Sequence, residues 1–515
     1  GESLLEEVHK EQFFTYLALT RAEKVLYMTM PSVNDDHNDT EPSFLLSQLR
    51  RLGYTSEERT LTPEDRETDR SYFANPRQAL SLLPALLREK IPEKNSPWAA
   101  LVRWARDNGY EEDVKDALSG YQYKNEAPPL PKDLADQLFK PGGRFFGSVT
   151  RFENYRRCPF MYFVRYGLKI DKRDEGEMES MDFGSYLHAG LHQFGQSLSK
   201  EKKQWRDATD EDIRNLSETI ASRLAPKVRY GALHADGASR YTEKALNETF
   251  RRSLTSLRKW SQNSSFDTKA LEKEFYLHLS GEKDTFTLNG KIDRIDSCDD
   301  AVAIFDYKTG HTTATLQEAV AGLKLQLLTY LLDVEEEGGG GLLPAALMYI
   351  YLSGDVKSLP AVPPGGKPPL KDKEYTSGWI LSDTDILRRL DGAAGEEDSF
   401  LPVKLSGKGA LTQTASTLSA EDFKNLLTIV KRKLLEIYHH MEKGHIPIRP
   451  VRYKNQVPCT YCPFHAICRF DPKGEGESYD YVNLPTDREL KKQLAERAMG
   501  KPQGPESSEG SKGEG

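Results

Sequence analysis

Two carboxylates and an ammonium group lie at the ends of short apolar segments of this chain. Residues 301–308 read AVAIFDYK, in which five apolar residues lead to Asp306 and Lys308. The segment IDRID at 292–296 carries Asp293, and the polar residues SCDD separate the two segments. Burying a charged side chain at the end of an apolar strand costs several kcal/mol of folding free energy, unless the charge has a partner. The two acids and the lysine therefore need a partner beyond the strands themselves.

The chemistry that suits these side chains is metal-assisted hydrolysis of a phosphodiester. Residues two apart on a strand face the same side, so Asp306 and Lys308 project together while Tyr307 faces away. A hairpin with its turn at SCDD brings Asp293 beside them. Mg²⁺ relieves the repulsion between two carboxylates and prefers carboxylates, waters and phosphate oxygens as ligands. The lysine then orients or deprotonates the attacking water and offsets charge on the phosphorus. The alternative for so short a pattern is an ordinary surface ion pair.

Three further segments accompany this pattern. His188 lies in the predicted helix DFGSYLHAGLHQF, and Gln326 and Tyr330 lie four residues apart on one face of the predicted helix LKLQLLTYLL. Together with GKIDRID and FDYKTG, they resemble the RecB-type branch of the PD-(D/E)xK nucleases. The resemblance implies an α/β fold, in which helices flank the mixed sheet of the nuclease core.

The resemblance also implies a role for each residue. A Mg²⁺ ion would be bound by His188, Asp293, Asp306 and the backbone carbonyl of Tyr307. Lys308 would be the catalytic lysine, and Gln326 and Tyr330 would orient the active site and contact the DNA strand. Glu274 is a weaker acidic candidate on the strand that enters the site. Arg294 is left to pair either with Asp296 or with a phosphate.

The chain has five cysteines, and three of them form the motif C-x₂-C-x₅-C in CTYCPFHAIC. The five are Cys158, Cys298, Cys459, Cys462 and Cys468. The odd number, without a secretory leader, argues against a disulfide framework and predicts a reducing, cytoplasmic setting. Thiolates bind zinc or an iron–sulfur cluster, and zinc is the commoner structural ion at four cysteines. Buried thiols without a metal are the third alternative.

The placement of these cysteines resembles a subgroup of the same nuclease branch. One cysteine before the nuclease segment and three after it are the plan of AddB subunits of AddAB helicase–nucleases, which Cas4-type nucleases share. The resemblance implies a [4Fe–4S] cluster that clamps the two ends of the domain. Its ligands would be Cys158, Cys459, Cys462 and Cys468. Cys298, in the turn SCDD, is expected to be a free thiol.

The rest of the sequence predicts four regions. We expect the end of a helicase-like core at 1–31, a mostly helical region at 32–147, the nuclease domain at 148–470 and an extension at 471–515, disordered from about 495. Within the first region, a helix followed by a strand is predicted, and ALTRA resembles motif VI of superfamily 1 helicases, with Arg21 as its arginine. No GxxxxGK[ST] phosphate loop occurs, so this chain is not expected to hydrolyse ATP.

The net charge of −8 excludes a globally basic nucleic-acid binder. Local patches must attract DNA instead, for example Arg156, Arg157, Arg165, Lys169, Lys172 and Arg173, or Arg449, Arg452 and Lys454. No apolar run approaches the roughly 20 residues that a membrane-spanning helix needs.

These observations together predict the C-terminal part of an AddB-type subunit. The resemblance implies an AddA-type helicase partner and a nuclease that cuts the 5′-ended single strand after unwinding. The two subunits would prepare double-strand breaks for homologous recombination. A free-standing Cas4-like exonuclease is one alternative, against which the length and residues 1–140 argue. A non-catalytic scaffold that binds DNA or a partner is the other, and the presence of all four core residues argues against it.

Overall fold

The computed structural model of the chain describes seventeen stretches of it. These are residues 4–28, 40–41, 44–52, 70–89, 94, 96–122, 124–171, 180–234, 237–281, 285–310, 312–339, 341–352, 376–396, 399–403, 414, 416–472 and 478–499. The chain forms two compact units, Gly1–Tyr123 and Lys124–Gly515. Residues 124–147, which the sequence assigns to the helical region, thus belong to the larger unit. The Gly- and Pro-rich insertion at 354–371 and residues 500–515 lie outside the described residues.

The smaller unit is helical, as predicted. Its helices are α1 (Leu4–Thr20), α2 (Phe44–Arg51), α3 (Pro76–Glu89), α4 (Pro97–Asp107) and α5 (Glu111–Gln122). Helix α4 begins at Ser96, because the Ser96 hydroxyl accepts a hydrogen bond from the Ala99 amide at 3.2 Å and Pro97 suits the first helical position. Trp98 and Val114 are buried in the separate apolar core of α3, α4 and α5.

The ALTRA motif lies at the end of α1. Thr20 ends the helix, and its hydroxyl donates to the Tyr16 carbonyl at 2.8 Å. Residues 21–28, which follow, form no strand, so the prediction of a strand after this helix is wrong for this part of the chain. A strand needs a neighbour to pair with, and the described residues of the smaller unit contain none.

The larger unit contains a mixed sheet of seven strands. The strands are β1 (Phe146–Ser148), β2 (Asp267–Ser280), β3 (Thr285–Cys298), β4 (Ala301–Lys308), β5 (Leu343–Tyr351), β6 (Thr376–Leu381) and β7 (Thr417–Leu418). Strands β2, β3 and β4 are antiparallel neighbours, β4 and β5 are parallel, β5 and β6 are antiparallel, and β6 and β7 are parallel. The predicted mixed sheet is confirmed.

The long strand β3 organises the sheet. One of its edges pairs with β2 along nearly its whole length. The other edge pairs with β1 up to Asn289 and with β4 from Arg294 onward, so residues 290–293 have no strand partner there. The hairpin predicted at SCDD is present as a two-residue turn, Asp299–Asp300, between the paired residues Cys298 and Ala301.

Helices cover both faces of this sheet. They are α6 (Lys132–Phe139), α7 (Val149–Arg157), α8 (Pro159–Tyr162), α9 (Ser180–Lys200), α10 (Asp210–Leu224), α11 (Gly237–Gln262), α12 (Leu316–Ala321), α13 (Gln326–Glu337), α14 (Thr384–Leu390), α15 (Ala420–Glu442), α16 (His465–Cys468) and α17 (Asp487–Ala498). A small second sheet pairs β8 (Val451–Arg452) with β9 (Asp480–Tyr481). Residues 495–498, for which the sequence predicts the start of a disordered tail, are the end of α17.

Two helices show how sequence signals set their ends. The sequence predicts a long helix that is capped by Ser419 and stopped by Gly444. Ser419 does cap α15, in a reciprocal capping box with Asp422, and the helix stops just before Gly444, whose φ is +67°. The pattern of RFENYRRCPFMYFVRYGL predicts one helix, but the segment is interrupted at Cys158. The extended backbone of that residue, φ −164°, and the following Pro159 separate α7 from α8.

No helix in the described stretches of the chain is long and apolar enough to cross a membrane.

Candidate active site

The backbone of Tyr307 connects two of the predicted metal ligands. Its N–H donates to Asp293 Oδ2 at 2.7 Å, and its carbonyl oxygen is 2.9 Å from His188 Nε2. The other ring nitrogen of His188 is 3.2 Å from Asp293 Oδ1. Because a carbonyl and a carboxylate only accept hydrogen bonds, both contacts form when the imidazole carries a proton on each nitrogen. Helix α9, β3 and β4 thus bring His188, Asp293 and the Tyr307 carbonyl together.

Asp306 and Lys308 project to the same side of β4, as the alternation of the strand predicts. The Lys308 ammonium is 2.5 Å from Asp306 Oδ2. This carboxylate is only 2 % exposed, and its Oδ2 accepts no hydrogen bond of good geometry within the described residues. Because Arg294 pairs with Phe305, continuing the register places Asp293 opposite Asp306. The carboxylates of Asp293 and Asp306 therefore lie side by side. The buried Oδ2 of Asp306 contacts the charged ammonium of Lys308.

Gln326 and Tyr330 form a chain of hydrogen bonds that leads to the lysine. Lys308 Nζ donates to Gln326 Oε1 at 3.1 Å, and Gln326 Nε2 donates to the Tyr330 hydroxyl at 2.5 Å. Both residues lie in the first turns of α13. The start of this helix is held by Glu153, whose Oε1 accepts from the amides of Leu325 at 2.7 Å and Gln326 at 3.2 Å. Glu153 is a buried residue of α7 that sequence reasoning did not identify.

The electrostatics of the cluster favour a bound cation or proton. Burial, together with the charge of Asp293, raises the pKa of Asp306 to about 7, although Lys308 opposes this shift. Burial acts to lower the pKa of His188, but the contact with Asp293 and the charges of Asp306 and Glu272 outweigh it and raise this pKa. Excess negative charge in a buried site has this effect, and a divalent cation would relieve it.

Glu272, on β2, is an acidic residue of the site that sequence reasoning missed. Ligand atoms of His188, Glu272 and Asp293 all lie within 4.8 Å of one another. Burial and the charge of Asp293 raise the pKa of Glu272. Glu274, the candidate suggested by the sequence on this strand, is exposed, and its carboxylate is 3.4 Å from the Tyr276 hydroxyl. The structure thus places the acid of β2 two residues earlier than the sequence suggested.

Arg294 does not face the cluster. Its Nε and Nη2 each lie 2.8 Å from a carboxylate oxygen of Asp296, and both side chains are buried. The guanidinium also lies 4.9 Å from the ring of Trp205 and 5.2 Å from that of Trp260. Of the two partners left open by the sequence, Arg294 takes Asp296 and has a packing role.

Lys324 adds a second ammonium group close to Lys308. Its Nζ is 5.9 Å from the centre of the Tyr349 ring, and Lys308 Nζ is 5.3 Å from the same ring. Burial lowers the pKa of Lys324; the charges of Arg157 and Lys308 add to this effect, and Glu153 opposes it. The site therefore has a basic side next to its acidic side.

Four cysteines line a second candidate site, an apolar pocket. The residues around it are Cys158, Phe160, Met161, Ile448, Pro450, Pro458, Cys459, Cys462, Phe464, His465, Cys468 and Phe470. Burial raises the pKa of Cys158 to about 12, and burial with the charges of Cys462 and Cys468 raises that of Cys459 to about 11. The Met161 amide donates to Cys158 Sγ at 3.5 Å. Four sulfurs in an apolar pocket suit a metal or cluster that binds thiolates.

Other contacts already tie the same two ends of the larger unit together. The Tyr155 hydroxyl donates to the His445 carbonyl at 2.6 Å. Arg156 donates to the Ala321 carbonyl at 2.8 Å, and its guanidinium is 2.5 Å from the Asp480 carboxylate. Arg156, which the sequence placed in a basic patch, therefore has a structural partner.

Cys298 does not line this pocket. It lies beside the turn between β3 and β4, where Arg389 Nη2 is 2.7 Å from its sulfur.

Comparisons with known proteins agree with this geometry. A family model described as the PD-(D/E)XK nuclease superfamily matches residues 147–469. The chain is 29% identical over 487 residues to a protein of Desulforamulus reducens that is named as a subunit of an ATP-dependent helicase/deoxyribonuclease, with 90% of this chain and 42% of that protein covered. A protein of Desulforudis audaxviator with the same name is 29% identical over 510 residues, which cover 94% of this chain and 44% of the relative.

The chain therefore spans less than half the length of these curated relatives. The similarity confirms the resemblance to helicase–nuclease subunits that the motifs suggested. Because the family model covers more than half of the residues, the chain belongs to the PD-(D/E)XK nuclease superfamily.

Proposed function

We propose that the larger unit is a Mg²⁺-dependent deoxyribonuclease that degrades 5′-ended single strands. The observation that carries this proposal is the convergence of His188, Asp293, Asp306 and Lys308 from a helix and two strands. The membership in the nuclease superfamily supports the same chemistry.

The residues present suit a hard divalent cation. Asp306 Oδ2 is buried and lies 2.5 Å from the Lys308 ammonium, and carboxylates and carbonyls are the ligands that Mg²⁺ prefers. His188, Asp293, Asp306 and the Tyr307 carbonyl would hold the ion. When bound, Mg²⁺ neutralises the carboxylates and polarises the phosphodiester.

The other residues act on the substrate and the water. Lys308 Nζ is fixed between Asp306 and Gln326, so it can hold the attacking water and offset charge that develops on the phosphate oxygens. Tyr330 holds the Gln326 amide in the orientation that offers its oxygen to the lysine. Lys324, whose ammonium lies near the same Tyr349 ring as that of Lys308, would bind a neighbouring phosphate of the strand.

The names of the relatives are the basis for the wider role that we infer. Those proteins are named as subunits of an ATP-dependent helicase/deoxyribonuclease. For this chain we infer an AddA-type helicase partner that unwinds a duplex end and supplies the single strand. The complex would act in the cytoplasm and resect double-strand breaks for homologous recombination.

The cysteine pocket would hold a [4Fe–4S] cluster through Cys158, Cys459, Cys462 and Cys468. The support for this cofactor is the grouping of four sulfurs, drawn from both ends of the unit, within one apolar pocket. Its role would be structural, because it joins segments that are far apart in the sequence.

Cleavage of labelled single-stranded DNA tests the nuclease. Wild type should cleave with Mg²⁺ and stop with a chelator, and blocking the 5′ end of the DNA should protect it. Asp306→Ala should be inactive, whereas Asp300→Ala, in the exposed turn nearby, should cleave like wild type. An Asp306→Ala protein that retains full activity would refute the catalytic assignment.

Metal analysis tests the cofactor separately. Protein purified without oxygen should contain iron and acid-labile sulfide and should absorb visible light. If it contains zinc alone, the cluster assignment is wrong, and the nuclease assignment is unaffected.

A further inference from the structure

We propose that Glu272 is an additional ligand of the divalent cation in the active site. This inference rests on the proposed metal-dependent nuclease and adds a residue to its metal centre. The pattern of motifs that led to the other ligands contains no acid at this position.

The pairing of β2 with β3 determines where Glu272 lies. Leu271 pairs with Arg294 and Lys273 pairs with Ile292, so Glu272 lies between these pairs, across from Asp293, with a left-handed backbone at φ +49°. Side chains of opposite residues project from the same face of a sheet, about 5 Å apart at their Cβ atoms. The carboxylate of Glu272 reaches the place where Asp293 meets His188.

The distances agree with a shared ligand position. One carboxylate oxygen of Glu272, one of Asp293 and a ring nitrogen of His188 lie within 4.8 Å of one another. Oxygen ligands of Mg²⁺ lie about 2.1 Å from the ion, so two ligands of one ion are at most about 4.2 Å apart. A small inward movement of these side chains would let all three atoms share one cation. The three donors come from β2, β3 and α9, so no local sequence pattern creates the cluster.

The positive charges that act on Glu272 are those of His188 and Lys291. No lysine or arginine in the described stretches forms an ion pair with Glu272, and the neighbouring Lys273 pairs with Glu337 instead. Two facing carboxylates, Glu272 and Asp293, repel one another unless a positive charge lies between them. A divalent cation bound between the two carboxylates would supply such a charge.

The buried carboxylate of Asp306 belongs to the same cluster of charges. Its Oδ2 is buried and lies 2.5 Å from the Lys308 ammonium. Asp306 lies on β4, which pairs with the edge of β3 that faces away from β2. Asp293 therefore lies on the strand between the strand of Glu272 and the strand of Asp306.

Binding of Mn²⁺ without DNA, followed by electron paramagnetic resonance or calorimetry, tests this inference. Glu272→Gln should raise the dissociation constant by about tenfold or more, the range found when a metal-site residue is lost. Glu274→Gln is the matched control, because it removes an exposed acid of the same strand, and it should bind like wild type. Wild-type affinity in Glu272→Gln would overturn the inference.

Two further measurements separate the possible failures. If wild type binds no Mn²⁺ and cleaves no DNA, then the proposed function fails along with the inference. If wild type binds and cleaves but Glu272→Gln binds equally well, only the inference fails. Should Glu272→Gln not fold, as judged by its circular dichroism, then Glu272→Asp decides in the same titration: weaker Mn²⁺ binding supports the assignment, and unchanged binding contradicts it.

Discussion

Lys308 and Gln326 are joined by a hydrogen bond in which the ammonium donates to the amide oxygen at 3.1 Å. The amide nitrogen of the same glutamine donates to Tyr330, so the amide is held in one orientation. Gln326→Leu removes the acceptor and should lower kcat by about 100-fold with little change in KM, because small displacements of catalytic groups have effects of that order. Tyr330→Phe should have a smaller effect in the same single-turnover assay. An unchanged kcat in Gln326→Leu would show that Asp306 alone positions the lysine.

Glu153 should act through the helix that carries Gln326. Its carboxylate accepts from the first amides of α13, as an N-cap does, and N-cap interactions contribute about 0.5–2 kcal/mol. Glu153→Ala should therefore lower both the melting temperature and kcat, as measured by calorimetry and DNA cleavage. Glu153→Gln keeps an acceptor oxygen, so its melting temperature and its kcat should both fall less than those of Glu153→Ala. Equal losses in the two variants would contradict a capping role.

Lys324 should contribute to substrate binding rather than to the chemical step. Its ammonium lies near that of Lys308 at the Tyr349 ring, and we expect it to contact a phosphate next to the scissile one. Lys324→Gln should raise KM for single-stranded DNA several-fold, with kcat nearly unchanged, and should reduce the dependence of binding on salt. Lys431→Gln, an exposed lysine of α15, is the control. A fall in kcat at unchanged KM would argue against this role.

The cysteines should separate into one free thiol and four ligands. Cys158→Ser should lose bound metal and lower the melting temperature by many degrees, since a clamp between distant segments stabilises by several kcal/mol. Cys298→Ser should keep the bound metal and the wild-type melting temperature, because the Cys298 sulfur contacts Arg389 rather than the pocket. Metal analysis and thermal unfolding of the two variants check this. Full metal content in Cys158→Ser would remove this cysteine from the ligand set.

Asp333, on α13, gives a prediction for the pH dependence of stability. Burial and the charge of Glu337 raise the pKa of Asp333 to about 6, and Lys273 opposes the shift. A raised carboxyl pKa means that ionisation destabilises the folded state, so this cost is present above pH 6 and disappears below the unfolded pKa of about 4. Asp333→Asn should stabilise by roughly 1–2 kcal/mol at pH 8, since each pKa unit corresponds to about 1.4 kcal/mol and solvent screens part of the effect.

Thermal unfolding of wild type and Asp333→Asn at several pH values measures this difference. The gain should shrink as the pH falls and should vanish near pH 4. A gain that does not depend on pH would show that packing, rather than charge, is responsible.

The sequence predicted those parts of the site that depend on local order. Asp306 and Lys308 share a face because strand residues alternate, and Ser419 caps its helix because its hydroxyl is in the right place. The motif order then led to His188 and Gln326, although they lie on different helices. These placements needed only spacing and a known family pattern.

Glu272 and Glu153 could not be found in this way. Glu272 is opposite Asp293 only because Ser280 pairs with Thr285, and the sequence does not fix the register of that hairpin. Glu153 caps a helix that begins far along the chain, which is a tertiary contact. A hairpin alignment that tested each register could have found Glu272, because one register puts an acid opposite Asp293.

The two-residue turn at Asp299–Asp300 has a consequence for how such a chain can vary. Cys298 and Ala301 pair directly across it, so its size sets the phase of one strand against the other. If one residue were inserted into the turn or deleted from it, without a compensating bulge, either Asp293 or Asp306 would face the other side of the sheet. We therefore expect this exposed turn to tolerate substitutions, whereas a change in its length should abolish the nuclease activity.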